Sequence, residues 1–268
     1  MRISVIIPFK NASAHLNRCI DSCKNAPGDF QFILVDDNQT PGHDSERARN
    51  AFEEDGRFLY QLSLTPGVSG ARNTGIAAAM GDWVTFLDAD DELLPDAYEK
   101  ITEAIRSAQG HPFVQMNHQR HYKSINKTAL KYTNRSGIYT LKNMPECWCM
   151  VWNKIIKREF IEQHSIRFEP GLQCGEDELF VIEMLRHHPA IAHASKLTVA
   201  LKRHFDNPDS LSRSKGKEEI RNQIASLEDE LVALCADGDQ KELACFLCDL
   251  IGEHWQSPIY KRILGGAE

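Results

Sequence analysis

No run of apolar residues in this 268-residue chain approaches the ~18–20 that cross a bilayer, so a membrane-spanning helix is excluded. Positive charge is scarce as well. The 31 lysines and arginines face 38 acids, and the net charge of −7 argues against nucleic acid as the main partner. A secretion signal is lacking: Met1 to Lys10 carries a very short apolar stretch that ends at Pro8, which reads as a first β-strand. Without such a signal, the eight cysteines read as reduced thiols of a cytoplasmic protein and not as a disulfide framework. Cys245 and Cys248 have CxxC spacing, but no second CxxC accompanies them. They fall in an amphipathic helical stretch, which leaves a zinc or redox role as the minor alternative.

What is present is ordinary globular material, 42% hydrophobic and 26% charged. The length fits one large α/β domain, or one with an appendage. The first third alternates strands and helices. Strands are expected at Ile3 to Ile7, Phe32 to Val35, Phe58 to Leu62 and Trp83 to Leu87. Helical spacing joins Leu16, Cys19, Ile20 and Cys23, and a polar helix covers Ser45 to Glu54. A further helix starts near Ser69 or Gly70, after the turn Thr65-Pro66-Gly67. Repeated βα units imply a mostly parallel central sheet flanked by helices, with ligands at the carboxyl ends of its strands. The segment from Phe113 to about Thr140 is polar, β-like and basic at Arg120, Lys123, Lys127, Lys131 and Arg135, which suits a hairpin or a loop. A strand is expected over Trp148 to Ile156, a short helix over Arg158 to His164, and another strand over Lys196 to Leu201. From about Lys215 the pattern is purely helical, in two helices broken at Asp237-Gly238-Asp239.

Carboxylates gather at the strand ends. Asp36 and Asp37 close the second strand. Asp88, Asp90 and Asp91 close the fourth, in Phe86-Leu87-Asp88-Ala89-Asp90-Asp91. Acids so close repel one another unless a cation or a hydrogen-bonding ligand lies among them. Hard oxygen donors suit Mg²⁺ or Mn²⁺, whose natural companion is a phosphate, so a metal-bound nucleotide is the implied ligand. Any single acid could equally form a turn or cap a helix.

Four segments, Val5-Ile6-Ile7-Pro8-Phe9-Lys10-Asn11, Leu34-Val35-Asp36-Asp37, Gly67 to Gly75 and Phe86 to Asp91, occur in an order and spacing that resembles the family 2 glycosyltransferases with the GT-A fold. Trp152-Asn153-Lys154-Ile155 and Gly175-Glu176-Asp177 resemble the family's later Asn-Lys and Glu-Asp elements. The likeness covers roughly residues 3 to 212 and is nearest to the bacterial branch that builds surface polysaccharides. It implies a nucleotide-sugar-binding half over 1–110, an acceptor-binding and catalytic-base half over 111–214, and a helical extension over 215–268. It implies that Pro8, Asn11, Asp36, Asp37, Arg72 and Asp88 hold the donor, a UDP-sugar. Asp90 is the implied metal ligand, with His204 a weaker second, and Asp177 the implied base. A structural salt bridge remains open for Arg72, a helix cap for Asp91, a favourable charge at a helix N-terminus for Asp177, and a surface position for His204. Trp152 and Lys154 are assigned either to the acceptor side or to the core.

The implied activity is inverting, metal-dependent transfer of a sugar to a glycan or lipid-linked oligosaccharide. Peripheral contact with the inner membrane face and a homodimer are left open. A sugar nucleotidyltransferase is disfavoured because Pro8 to Ser13 contains no glycine. A glycosidase would not need the strand-end nucleotide pattern. A non-catalytic nucleotide-sugar-binding module is the remaining alternative.

Overall fold

The computed structural model describes residues 1–256 apart from 27, 39, 123–126, 132–135, 145–148, 173–174, 195–198 and 205–216. In chain order, the first third contains β1 (Ile3–Phe9), α1 (Leu16–Asn25), β2 (Phe30–Asp36), α2 (His43–Glu54), β3 (Phe58–Leu62), α3 (Val68–Ala78) and β4 (Trp83–Phe86). Next come β5 (Glu92–Leu93), α4 (Ala97–Ser107), β6 (Phe113–Gln115), β7 (Asn117–Tyr122), β8 (Lys127–Lys131) and β9 (Gly137–Thr140). The remainder holds β10 (Lys154–Lys157), α5 (Arg158–Gln163), α6 (Glu176–His187), β11 (Ala190–His193), β12 (Val199–His204), α7 (Lys217–Ala236) and α8 (Lys241–Gln256).

Eight strands form the main sheet in the order β3-β2-β1-β4-β10-β6-β11-β9. Pairing is parallel from β3 to β4 and between β6 and β11, while β10 and β9 run against their neighbours. A strand covered by helices on both faces needs apolar residues at every position. Accordingly Ile3, Val5, Ile6 and Ile7 of β1 and Phe32, Ile33, Leu34 and Val35 of β2 are all buried. Two core layers result, one containing α1 and α4 residues and the other containing α3 and α6 residues. Leu16, Cys19, Ile20 and Cys23 are the buried face of α1, as their spacing implies.

Helix α3 lies tight on the sheet because it is built from small residues. A Cβ added at Gly75 would stand 2.3 Å from Cγ2 of Ile6. Ile6 is itself fully buried in β1 and has no room to yield. Gly75→Ala is therefore expected to destabilise the fold by about 1–3 kcal/mol through overpacking. A urea-unfolding midpoint equal to that of the parent would contradict this packing argument.

A second sheet has the order β5-β12-β7-β8. The basic middle segment is a hairpin here, with His118 facing Lys131 and Tyr122 facing Lys127 in register. The side chains of Arg120, Lys123, Lys127, Lys131 and Arg135 lie outside the described residues. Two expectations need correction. The strand anticipated over 148–156 is confined to Lys154–Lys157, because Lys154 N–H bonds back to the Val151 carbonyl and turns the chain before it. Asp91 does not cap a helix. Pairing of Glu92 and Leu93 with β12 intervenes, and α4 begins only at Ala97, after Asp96.

The tail is two helices with a short 3-10 turn over Gly238–Gln240, where the break was expected. Leu227 and Leu234 of α7 and Leu243, Leu247 and Ile251 of α8 join the core layer that includes α6. Gln223 Nε2 donates to Glu178 Oε2 at 2.6 Å, and Arg186 pairs with Glu230. The tail thus braces α6 from outside the sheet. Among the described cysteines, Cys19 and Cys23 are buried thiols, and Cys235, Cys245 and Cys248 are exposed ones. No helix among the described residues is long and apolar enough to cross a membrane.

Candidate active site

The carboxyl ends of β1, β2 and β4 meet along one edge, because the three strands pair in parallel and in register. Phe9 stands opposite Asp36, and Asp37 N–H reaches back to the Phe9 carbonyl at 2.9 Å. Pro8 is partly exposed in this strand end. Asn11 follows with φ 50°, a left-handed conformation that asparagine tolerates better than most residues. Its N–H donates to Asn38 Oδ1 at 2.9 Å, which ties the first strand's loop to the second's.

Asp36 is almost fully buried, and its carboxylate accepts from three groups. Tyr60 O–H donates to Oδ2 at 2.7 Å, and Asn38 donates to Oδ1 through its backbone N–H at 2.9 Å and its side-chain amide at 2.7 Å. In this arrangement Asp36 braces the strand ends. Asp37 performs a different task. Both its oxygens accept from Gly67 N–H, at 3.0 and 3.1 Å, and Lys10 Nζ approaches at 3.3 Å. Gly67 has φ 96°, so this contact pins the turn that launches α3.

Arg72 lies in the first turns of α3 with only 6% of its side chain exposed. Its guanidinium reaches three carboxylates: Asp177 at 2.7 Å, Glu176 at 3.0 Å and Asp88 at 3.7 Å. It also lies over the Phe168 ring, 5.2 Å from the centroid. This is the ion pair that the sequence left open beside a nucleotide contact. Burial works to lower its pKa, yet the attraction of Asp177, Glu176 and Asp88 prevails and holds it above the ordinary arginine value.

Asp177 stands in the first turn of α6, whose N-cap Gly175 has φ 83°. Its Oδ1 accepts from Arg72, and its Oδ2 accepts from the Val151 N–H at 3.2 Å. Burial pushes its pKa up to about 6, the negative neighbours Glu176 and Asp88 add to that, and Arg72 and the Val151 N–H act the other way. A carboxyl group poised near neutrality suits proton transfer.

Asp88, Asp90 and Asp91 each offer an oxygen, and these atoms lie within 4.8 Å of one another. Helix α1 holds their turn from behind: Arg18 donates to the Asp90 carbonyl at 2.6 Å, and Ser22 Oγ accepts from the Leu93 N–H at 3.0 Å. Asp91 is buried in this group, with its N–H on the Asp88 carbonyl at 2.9 Å. Three clustered hard oxygens fit Mg²⁺ or Mn²⁺. His204 ends β12 with its backbone opposite His121, and its side chain lies outside the described residues. Trp152 and Lys154 are both buried, which favours the core assignment.

The structure therefore joins Asp88 and Asp177, which are far apart in sequence, through one guanidinium. Sequence reasoning missed the Val151 N–H, the Phe168 ring and the Tyr60 hydroxyl. None follows a local pattern that would have marked it.

Known proteins share this architecture. Residues 1–349 of TarS from S. aureus, crystallised in complex with UDP-GlcNAc, superpose with a TM-score of 0.74 at 17% identity, covering 96% of this chain and 73% of that one. The uncharacterized glycosyltransferase EpsJ of Bacillus subtilis (strain 168) is 29% identical over 220 residues, which is 78% of this chain and 62% of EpsJ. A teichoic acid poly(glycerol phosphate) polymerase of Staphylococcus epidermidis is 26% identical over 196 residues, 69% of this chain and 26% of the polymerase. The chain thus spans less than two thirds of the length of these two relatives. Residues 4–167 match the profile of glycosyl transferase family 2, more than half of the chain, and the protein belongs to that family.

Proposed function

We propose that the protein is an inverting glycosyltransferase that uses a UDP-sugar, with the first 110 residues holding the donor and residues 111–214 supplying the acceptor side and the base. The observation that carries this reading is the convergence on Arg72 of Asp88, a member of the metal-fitting cluster, and Asp177, a carboxyl group poised near 6. Pro8, Asn11, Asp36 and Asp37 form the floor for the base, where a carboxylate can accept the imide N–H of uracil. Asp88 faces the donor sugar or ribose. Asp90 and Asp91 would hold Mg²⁺ or Mn²⁺, with His204 as a candidate nitrogen ligand on resemblance alone. The bound ion would neutralise charge on the departing diphosphate.

Asp177 performs the proton step. The acceptor hydroxyl gives its proton to an Asp177 oxygen as the hydroxyl oxygen bonds to the anomeric carbon, and the bond from that carbon to the phosphate oxygen breaks. Arg72 keeps the carboxylate oriented and balances the charge that would otherwise raise its pKa further. The acceptor we propose is a glycan or lipid-linked oligosaccharide, because a similar protein of Campylobacter jejuni, 34% identical over 115 residues, is a GalNAc(5)-diNAcBac-PP-undecaprenol beta-1,3-glucosyltransferase.

A thermal-shift screen of UDP-sugars, with and without Mn²⁺, tests the donor and the metal together. UDP-GlcNAc is the first probe, because the TarS structure holds it. A ligand at a hundred times its Kd stabilises by about 2.7 kcal/mol. For a chain of this size that is roughly 5–10 °C in Tm. Stabilisation by a UDP-sugar only with Mn²⁺ is the expected result. Indifference to every UDP-sugar in the presence of Mn²⁺ would reject the reading. Pyrophosphate release from a nucleoside triphosphate and a sugar phosphate would replace it with the nucleotidyltransferase alternative.

A further inference from the structure

Lys154 is fully buried in β10, between β4 and β6. Its ammonium donates to Gln115 Oε1 at 2.9 Å, to Asn153 Oδ1 at 2.8 Å and to the Met150 carbonyl at 2.8 Å. All three of these acceptors are neutral oxygens. Burying an ammonium is costly, and a residue that merely filled space there would not carry that cost. The third of these bonds has a consequence for the site. The Met150 carbonyl and the Val151 N–H belong to the same planar peptide unit. That N–H is the donor to Asp177 Oδ2, at 3.2 Å.

We propose that Lys154 is a positioning residue for the base: its ammonium pins the Met150–Val151 peptide so that the peptide N–H is aimed at the Asp177 carboxylate. The inference rests on the reading of Asp177 as that base. A cation on the carbonyl end of a peptide withdraws electron density and makes its N–H a stronger donor, because hydrogen bonds in a chain polarise one another. The cation and the anion therefore communicate through one rigid unit without touching.

The surroundings fix the peptide in place. Lys154 N–H closes the turn on the Val151 carbonyl at 3.0 Å, and Met116 N–H donates to the Asn153 carbonyl at 2.8 Å; beyond the turn, Thr85 Oγ1 donates to the Lys154 carbonyl at 2.8 Å and holds no part of that peptide. The charged groups around Asp177 are Arg72 from α3, Glu176 from its own helix and Asp88 from the end of β4. On the other side Lys154 faces His193 of β11, which burial holds below the ordinary histidine value against the bond to the Ala194 carbonyl, with a smaller push from Lys154's charge. Lys154 is thus the cation behind the turn, and Arg72 is the cation in front of it.

The test is a ¹³C-carboxyl NMR titration of the aspartate-labelled full chain, with the Asp177 signal assigned by its loss in Asp177→Asn. Lys154→Gln and Lys154→Met both remove the charge, the first keeping a polar head and the second needing no partners. In each, the Asp177 midpoint is expected to rise by about 0.5–1 pH unit. The acid limb of kcat/KM should move with it, while KM for the donor stays unchanged. Thr85→Val breaks a hydrogen bond to the same strand without touching the relay, and its midpoint should match the parent. A midpoint that stays put in both lysine variants, or failure of both to fold, overturns the inference. If that occurs while Asp177→Asn is inactive, the base assignment stands and only the role of Lys154 is lost. Full transfer activity in Asp177→Asn would overturn both.

Discussion

Asp177→Asn is expected to lower kcat by about 10²–10⁴-fold, the range that general-base catalysis contributes. The substitution keeps the shape of the side chain and an oxygen for Arg72 or for the Val151 N–H, so the fold and the binding of UDP should survive. What is lost is the ability to take a proton. The pH profile provides an independent check. In the parent, kcat/KM should rise as Asp177 ionises, with a limb near its pKa of about 6, and level off above it. In Asp177→Asn the residual rate should lack that limb. A variant with near-parental turnover, or one that retained the limb, would remove Asp177 from the proton step.

Arg72→Met should have the largest effect on stability. The side chain is almost fully buried, and without its charge Asp88, Glu176 and Asp177 lose the cation they share. Removing one partner from a buried ion pair costs about 3–5 kcal/mol. Methionine keeps much of the volume above the Phe168 ring, so the loss reports charge more than packing. The dependence on pH has a definite sign. Asp177 already has a folded pKa above the ordinary ~3.9 of an aspartate. Its ionisation therefore disfavours the parent fold, and stability drains away as pH rises from about 4 through about 6. Arg72 is what restrains that shift, so in the variant the window widens upward. Urea unfolding at pH 5 and pH 7 should show a smaller penalty at pH 5. A penalty below about 1 kcal/mol at pH 7, the value of a surface pair, would show that the three carboxylates do not depend on this guanidinium.

Residue patterns made the first four strands of the main sheet legible because each carries its own signature. Continuous apolar runs such as Val5-Ile6-Ile7 and Phe32 to Val35 need burial on both faces, and the acids that follow them have nowhere to emerge but the strand end. The i, i+3, i+4 spacing of Leu16, Cys19 and Ile20 was equally local. The break in the tail announced itself through Asp237-Gly238-Asp239. Asp91 failed for the opposite reason. A cap at Asp91 was a sound local reading ahead of Leu94-Pro95. The residue was claimed instead by pairing of Glu92 and Leu93 with a strand over a hundred residues later, which no window around it could reveal. Arg72 was similarly ambiguous. Its neighbours in sequence are small and neutral, and the carboxylates that decide its role belong to β4's end and to α6. Lys154 shows its identity in the Asn-Lys element, but its link to Asp177 runs through a turn where the apolar residues favour a strand.

The separation of Arg72 and Asp177 by 105 positions also has a dimension in time. Synthesis proceeds at about 5–20 residues per second, so the arginine leaves the ribosome roughly 5–20 seconds before its strongest partner exists. β1 to β3 are made before Arg72 and β4 shortly after it, so for most of that interval the four strands exist while Glu176 and Asp177 do not. Strand β10, which fills the place beside β4, is delayed almost as long. Until β10 and α6 are made, β4 lacks its neighbour on that side and Arg72 lacks Glu176 and Asp177. Arg72 can meet Glu176 and Asp177 only once the start of α6 has been made.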